Sequence, residues 1–456
     1  MTADTRTDPL APPGATPQPA RRVPLFALYT SNTVSAVGDV LTFLAIPWFV
    51  LQTTGSVVQT GVTAFFSTAS VALSALLGAS LVDRLGFRRA SVLSDLASGV
   101  CVALIPLLYE TIGLPFWALL LLVFLAGLMT TPGATARSAM VPELAEFAHV
   151  RMERATAASD GATRLSRFIG APLAGILIAV IGPNNLLWVD AATFAFSALV
   201  IGRAVPAIFP PTHPSAAPAQ VAGVAGDSGG RRRFLAGLRE GFAFIRSDPV
   251  LLWPILVVLV TNLLDAGNSG VLIPAFVKQT YGNAVWLGAI VAATGGAAFL
   301  GTVVFGAVGH RLPRQLTLGL AFTIGGAFRF FVVVGFAAHP FVLVALTAVC
   351  GFFIGPINPI FDTIAYERIP VALRARVFGV LTAGSMLGTP LGGLIVGAVA
   401  PSIGISASML LFGVVYAIAT LSLLVNPALR GMNKRYRSDT PPASDGAQQA
   451  QQAQQV

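Results

Sequence analysis

The sequence predicts an all-α membrane protein: twelve transmembrane helices in two six-helix bundles, related by a pseudo-two-fold axis along the membrane normal. Three observations point there. The 456 residues are 55% apolar and only 10% charged, with a mean hydropathy of +0.78, whereas a soluble domain carries about 25% charged residues. Apolar stretches that suit ~20-residue spans recur along the whole chain. Finally, features of the first half return about 220–230 residues later.

The spans read as 24–52, 57–82, 90–109, 115–137, 155–181 and 184–204, then 250–276, 285–309, 314–337, 340–362, 376–400 and 404–425. Residues 1–22 are rich in Thr, Pro and Ala and read as a disordered cytoplasmic arm rather than a cleavable leader. One bundle then occupies 23–204, a cytoplasmic linker 205–249, a second bundle 250–425 and a disordered cytoplasmic tail 426–456. The linker starts as flexible Pro, Ala, Gly and Ser. Its second part places Phe234, Leu235, Leu238, Phe242 and Ile245 on one helical face, so ~232–247 is an amphipathic helix. Lying on the inner leaflet and packing under the bundle are both open to it.

Basic residues fall almost entirely on one side of this layout. That side collects Arg21, Arg22, Arg84, Arg88, Arg89, Arg137 at the inner end of the fourth span, Arg151, Arg203, the Arg231–Arg233 run, Arg311, Arg368 and Lys434; the other has Lys278. The asymmetry puts both termini in the cytoplasm; the membrane is expected to be a bacterial plasma membrane. The net charge of +9 therefore orients helices. No basic stripe is interleaved with exposed aromatics, which excludes nucleic acid as a partner. Cys101 and Cys350 lie alone in separate apolar runs and give neither metal spacing nor a disulfide framework.

Chemistry concentrates on two acids. Asp39 lies near the centre of the first span and Asp265 in the matching seventh. A charge at that depth costs roughly 2.5–3.5 kcal/mol on insertion scales, so it is rarely there without a role. On a helix, Asn32, Ser35, Asp39 and Thr42 share one face, as do Thr261, Asp265, Asn268 and Leu272. Each stripe faces the bundle interior or a wet cavity. The two acids are read as proton carriers, with a cross-helix structural hydrogen bond as the alternative. Arg329, taken as the only arginine inside a span, needs a partner, and Asp265 or Asp190 would serve. It joins the proton-coupling set, while Asp190, nearer the outer end of the sixth span, reads as structural. The expected substrate cavity comprises Asn32, Ser35, Thr42, Trp48, Thr261, Asn262, Asn268 and Asn358, with Phe43, Phe65, Phe66, Phe328, Phe352 and Phe353 as available wall aromatics. Pro47, Pro274, Pro356 and Pro359 interrupt spans, and a proline there frees carbonyls inside the bundle.

Small residues mark two further helices. Gly170, Pro172 and Gly175 in the fifth span match Gly388, Pro390 and Gly393 in the eleventh, and allow close helix approach. The turn after the second span holds Asp83, Arg84, Gly86, Arg88 and Arg89, a set that can lock to neighbouring helix ends. Six spans, a linker and six similar spans are the layout of many secondary transporters, with the site at mid-depth between the halves.

At these residues the chain resembles the major facilitator superfamily over all twelve spans. Asp83, Arg84, Gly86, Arg88 and Arg89 are similar to the family's loop 2–3 signature, with the leading glycine one place early at Gly78 and Phe87 inserted. Gly170-Ala171-Pro172 resembles the antiporter motif of the exporters. Gly38-Asp39, Pro47-Trp48, Arg137-Ser138-Ala139-Met140-Val141-Pro142-Glu143, Val189-Asp190-Ala191 and Gly355-Pro356-Ile357-Asn358-Pro359 look like the drug-exporter branch that includes macrolide-efflux and Tap-type multidrug pumps. The resemblance implies export of lipophilic drugs driven by proton entry, with gating by the Asp83–Arg89 loop. No cofactor beyond the proton gradient is expected, and the chain is expected to be a monomer in the bilayer.

Other classes fit the sequence less well. A transporter of one metabolite, such as a siderophore or sugar, would need a more polar cavity. A membrane enzyme would need nucleophile, base and stabiliser together, but His149, His213, His310 and His339 all lie in loops or linker. A sensor would need a soluble output domain.

Overall fold

The computed structural model describes residues 22–206 and 228–433. The expected N-terminal arm up to residue 21, linker residues 207–227 and the tail from 434 lie outside the described residues. Within them the chain forms α1 (Val23–Thr54), α2 (Val57–Leu85), α3 (Phe87–Thr111), α4 (Phe116–Phe147), then the stretch Met152–Ala204. That stretch has 53 residues and, at 1.5 Å per residue, would be about 80 Å long, far beyond a ~30 Å hydrocarbon core. It is broken at Gly182, whose backbone (φ 82°, ψ 160°) is outside the helical region, giving α5 (152–181) and α6 (183–204). Reversal is visible in the contacts: Ser31 and Asn32, neighbours on α1, hydrogen-bond to Ser197 and to Thr163.

The second half repeats the plan. After the surface helix α7 (Ser228–Ser247) come α8 (Pro249–Tyr281), α9 (Val285–Val308), α10 (Arg314–Gly335), α11 (Pro340–Arg368), α12 (Val371–Ile403) and α13 (Ile405–Val425). Gly404, joining α12 to α13, has φ 86° and ψ 159°, nearly the geometry of Gly182 at 222 residues' distance. In lipid, backbone groups must be satisfied within the span, so helices are the available element. Their ends are closed by side chains where the sequence supplies them: Ser56 accepts from the Gln59 amide at 3.2 Å and Asp248 from the Val250 amide at 2.9 Å. Large apolar side chains such as Phe341 (79% exposed) and Ile418 (67%) point outward, as lipid contact requires.

The linker helix takes one of the two arrangements that the sequence left open, and the tail differs from its expectation. α7 packs under the bundle: Ile245 is buried, Glu240 pairs with Arg376, and Gly241 sits against the Arg376 backbone at the start of α12. Order also extends past 426, because Pro427–Asn433 forms a 3-10 helix that buries Leu429 and Met432 and accepts a hydrogen bond from Arg368 on the Gly431 carbonyl.

The two halves meet along α5–α9 and α2–α12. A Cβ on Gly175 would lie 2.8 Å from the Gly288 Cα, and one on Gly397 would lie 3.0 Å from the Gly61 Cα. Only bare backbones can approach so closely. These crossings are related by the two-fold and lie toward the end of the bundle that carries Gly182. There, too, Lys278 of α8 stands 5.5 Å from the ring centre of Trp48 on α1. The contacts also correct the repeat register. Gly170 meets Val40 of α1, and its equivalent against α8 is Gly392, which meets the Leu263 carbonyl; Gly388 meets Leu259 one turn earlier. The Gly170–Gly388 match is therefore four residues out of step. α5 and α12 run through Pro172 and Pro390 without a break.

Candidate functional site

Between the halves lies a cavity of about 610 Å³, within the range that encloses drug-sized molecules. Its wall takes Asp39, Thr42 and Phe43 from α1, Thr63, Ser67 and Thr68 from α2, Asp190 and Phe194 from α6, Asn262, Asp265 and Ser269 from α8, and Thr389 and Gly393 from α12. Both sequence-matched acids thus face one space. Several wall hydroxyls are satisfied by their own helices: Thr63 donates to the Gln59 carbonyl at 2.8 Å, Thr68 to Ala64 at 2.8 Å and Thr130 to Ala126 at 2.9 Å. A hydroxyl so engaged presents mostly its methyl group, which makes the wall less polar than its composition.

In the C-terminal half, Asp265 is held by Arg329, whose Nη2 donates to Oδ1 at 2.5 Å, and by Tyr416, whose hydroxyl donates to Oδ2 at 3.3 Å. The two side chains are 37% and 12% exposed, so the pair borders the cavity. Of the two partners the sequence offered Arg329, Asp265 is the one. Local helix irregularity lies beside both groups. A π-helical turn, Asn268–Leu272, comes after Asp265, and another, Ala321–Ala327, precedes Arg329. Each π turn inserts a residue and rotates the remainder of its helix.

The N-terminal half has its own pair, which sequence reasoning missed. Arg137 Nη1 donates to Asp95 Oδ1 at 2.7 Å, with side chains 3% and 2% exposed. Arg137 also donates to Asn32 Oδ1 at 3.2 Å and Ser35 Oγ at 3.3 Å, and Ser197 Oγ donates to Asp95 Oδ2 at 2.6 Å. Arg137 is not at the end of its span, because α4 continues to Phe147, and Arg329 is not the only arginine within a span. The available signal was Asp95 itself, an acid inside the third apolar run that needed a partner.

Several expected cavity residues belong elsewhere. Thr42 and Asn262 line the space, but Asn32 and Ser35 serve the Arg137 pair. Trp48 is buried under Lys278, and Thr261 is buried, donating to the Val258 carbonyl. Asn268 is turned inward by the π turn that it opens, so Ser269 and Gly270 reach the wall instead. Asn358 is exposed beyond the Gly355-Pro356 break in α11. Of the aromatics, Phe43 lines the cavity and Phe194 joins it unforeseen; Phe65 and Phe66 pack edge-to-face, as do Phe352 and Phe353, and Phe328 is half exposed. In the loop, Gly86 turns with φ 75°, Arg88 caps the Gly202 carbonyl at the end of α6, and Arg84 and Arg89 are exposed. The Asp83 side chain lies outside the described residues.

Comparison with known proteins agrees with this architecture. The family model described as Major Facilitator Superfamily matches residues 28–332 and 255–452. A protein named "Multidrug efflux pump Tap" from Mycobacterium tuberculosis is 28% identical over 424 residues, covering 92% of this chain and 97% of its own. Its namesake from Mycolicibacterium fortuitum is 29% identical over 417 residues, covering 91% and 98%. The enterobactin exporter EntS of Citrobacter koseri is 27% identical over 435 residues, covering 92% and 95%. Among solved structures, a mutant of the nucleoside transporter NupG superposes with a TM-score of 0.69 at 14% identity, over 90% of this chain and all of that one. Repeated bundles, a cavity between them and a family match over nearly the whole chain together establish that the chain belongs to the major facilitator superfamily.

Proposed function

We propose that the protein exports several lipophilic drugs in exchange for protons, by alternating access between its halves. The carrying observation is that Asp39 and Asp265, from equivalent helices, line a single drug-sized cavity at the interface of the halves. The similarity to Tap pumps supports efflux, and the wall of internally satisfied hydroxyls suits varied apolar cargo. With both termini cytoplasmic, the end carrying Gly182 faces outward. The close glycine crossings there then describe a form shut to the outside. In this cycle, protons reach the cavity acids from outside, and their release inward resets the site for cargo. The enterobactin exporters supply the alternative, a carrier of one metabolite.

The test is expression in a bacterial host lacking its major pumps. Tolerance to several unrelated lipophilic drugs should rise, and a protonophore should abolish the gain. Tolerance to none of them, or efflux indifferent to the protonophore, would overturn the reading.

A further inference from the structure

Asp190 is on the cavity wall but belongs to neither ion pair. It is fully buried, and among the described residues its side-chain partners are hydroxyls: Thr42 donates to Oδ2, and Thr193 donates to Oδ1 at 3.0 Å. Asp95 and Asp265, by contrast, each have an arginine. The seat of Asp190 is built for it. A Cβ on Gly38 would collide with Asp190 Oδ1 and Thr193 Oγ1, so the carboxyl occupies the space that glycine leaves on α1. Gly38 precedes Asp39, and Thr42 lies one turn on. Asp190 therefore grips α1 on both sides of Asp39.

Hydroxyls alone are poor compensation for a buried carboxylate, which needs a counter-charge or a proton. Among the described residues, the groups facing it are Asp39 and Thr42 from α1, Thr193 from its own helix and, across the cavity, Asp265, which is paired with Arg329; α3 presents Val102 and Gly99, which do not ionise. We infer that Asp190 is a second proton-exchange group of the N-terminal half, which gives up its proton when a positively charged cargo enters and then stands as that cargo's counter-charge. The O–H bond of the carboxyl breaks, the proton passes to cavity water, and the cargo's ammonium or phosphonium pairs with the carboxylate without forming a bond. A neutral cargo leaves the proton in place. This rests on the proton-coupled reading above.

The experiment uses the purified full-length protein in weakly buffered detergent, with tetraphenylphosphonium as the cationic probe and chloramphenicol as the neutral one. Wild-type protein should release more protons with the cation. Asp190→Asn keeps the size of the side chain and an acceptor for Thr42. It should release about one proton fewer per cation bound and lose about tenfold or more in affinity for the cation, while binding the neutral probe as before. Gly38→Ala keeps the acid but unseats it, and should show the same selective loss if the Asn variant fails to fold. Proton release unchanged by either substitution, or equal loss for both probes, would overturn the role of Asp190 alone. Wild-type protein that releases no proton with any probe would overturn the coupling reading and this one with it.

Discussion

Arg137–Asp95 and Arg329–Asp265 have the same chemistry and nearly the same length, 2.7 and 2.5 Å, yet one is sealed at 3% and 2% exposure while the other is 12% and 37% exposed at the cavity. The sealed pair is completed by Asn32, Ser35 and Ser197, so it ties together α1, α3, α4 and α6. The cavity pair has Tyr416 as its further partner, and Arg329 Nε is buried with no acceptor among the described residues. A satisfied network rigidifies, and a half-satisfied one can rearrange. The difference teaches that two ion pairs of the same chemistry can stand in opposite surroundings, so burial of a pair alone does not say what it does. Solvent access and incomplete bonding separate the two pairs, and we propose on that basis that the sealed pair holds the fold while the cavity pair takes part in proton exchange.

Substitutions can break or sharpen this contrast. The largest effect should come from Arg137→Met, which strands Asp95 without a counter-charge and should cost about 3–5 kcal/mol. Thermal unfolding in detergent reads this, and Arg137→Met combined with Asp95→Leu should recover most of the loss. Arg329→Met should cost less stability, about 1–2 kcal/mol, because its partner already touches the cavity, but it should remove drug tolerance. If Arg329→Met unfolds the protein more readily than Arg137→Met, the contrast is wrong. Next comes Gly397→Val, which places bulk against the Gly61 backbone at a cost of about 1–3 kcal/mol. That strain acts only on the form closed at the Gly182 end, so spin-label distances between the 54–56 and 282–284 turns should lengthen. Smallest is Lys278→Met, which removes a partly exposed cation–π contact worth about 0.5–1 kcal/mol and should shift the same distances slightly; no shift would leave Trp48 as packing.

Much of the fold was legible because lipid imposes simple rules. Span length, charge asymmetry and the repeated acids fix twelve helices in two bundles without tertiary information. Asp39 and Asp265 could be read because each is a lone charge in an apolar run. Arg137 could not, because Ser138, Glu143 and Glu146 dilute the hydropathy of the last turns of α4 and make a deep residue resemble a loop residue. Asn32 and Ser35 share a stripe with Asp39, but a stripe does not say which of two polar neighbours it serves, and here its first turn serves Arg137. Asn268 was lost to a π turn, since a 3.6-residue period fails where a residue is inserted. The Gly170–Gly388 match slipped by four residues because one helical turn preserves the face, so periodicity cannot detect that error.

The central claim is that protons are exchanged by the acids of the cavity and not by the sealed pair. It is tested most directly by counting protons released when drug binds to purified protein. Asp39→Asn and Asp265→Asn should each release fewer than wild type while remaining folded, and the Arg137→Met and Asp95→Leu double variant should release as many as wild type. Release unchanged in both cavity variants, or lost in the double variant while it still binds drug, would contradict the account.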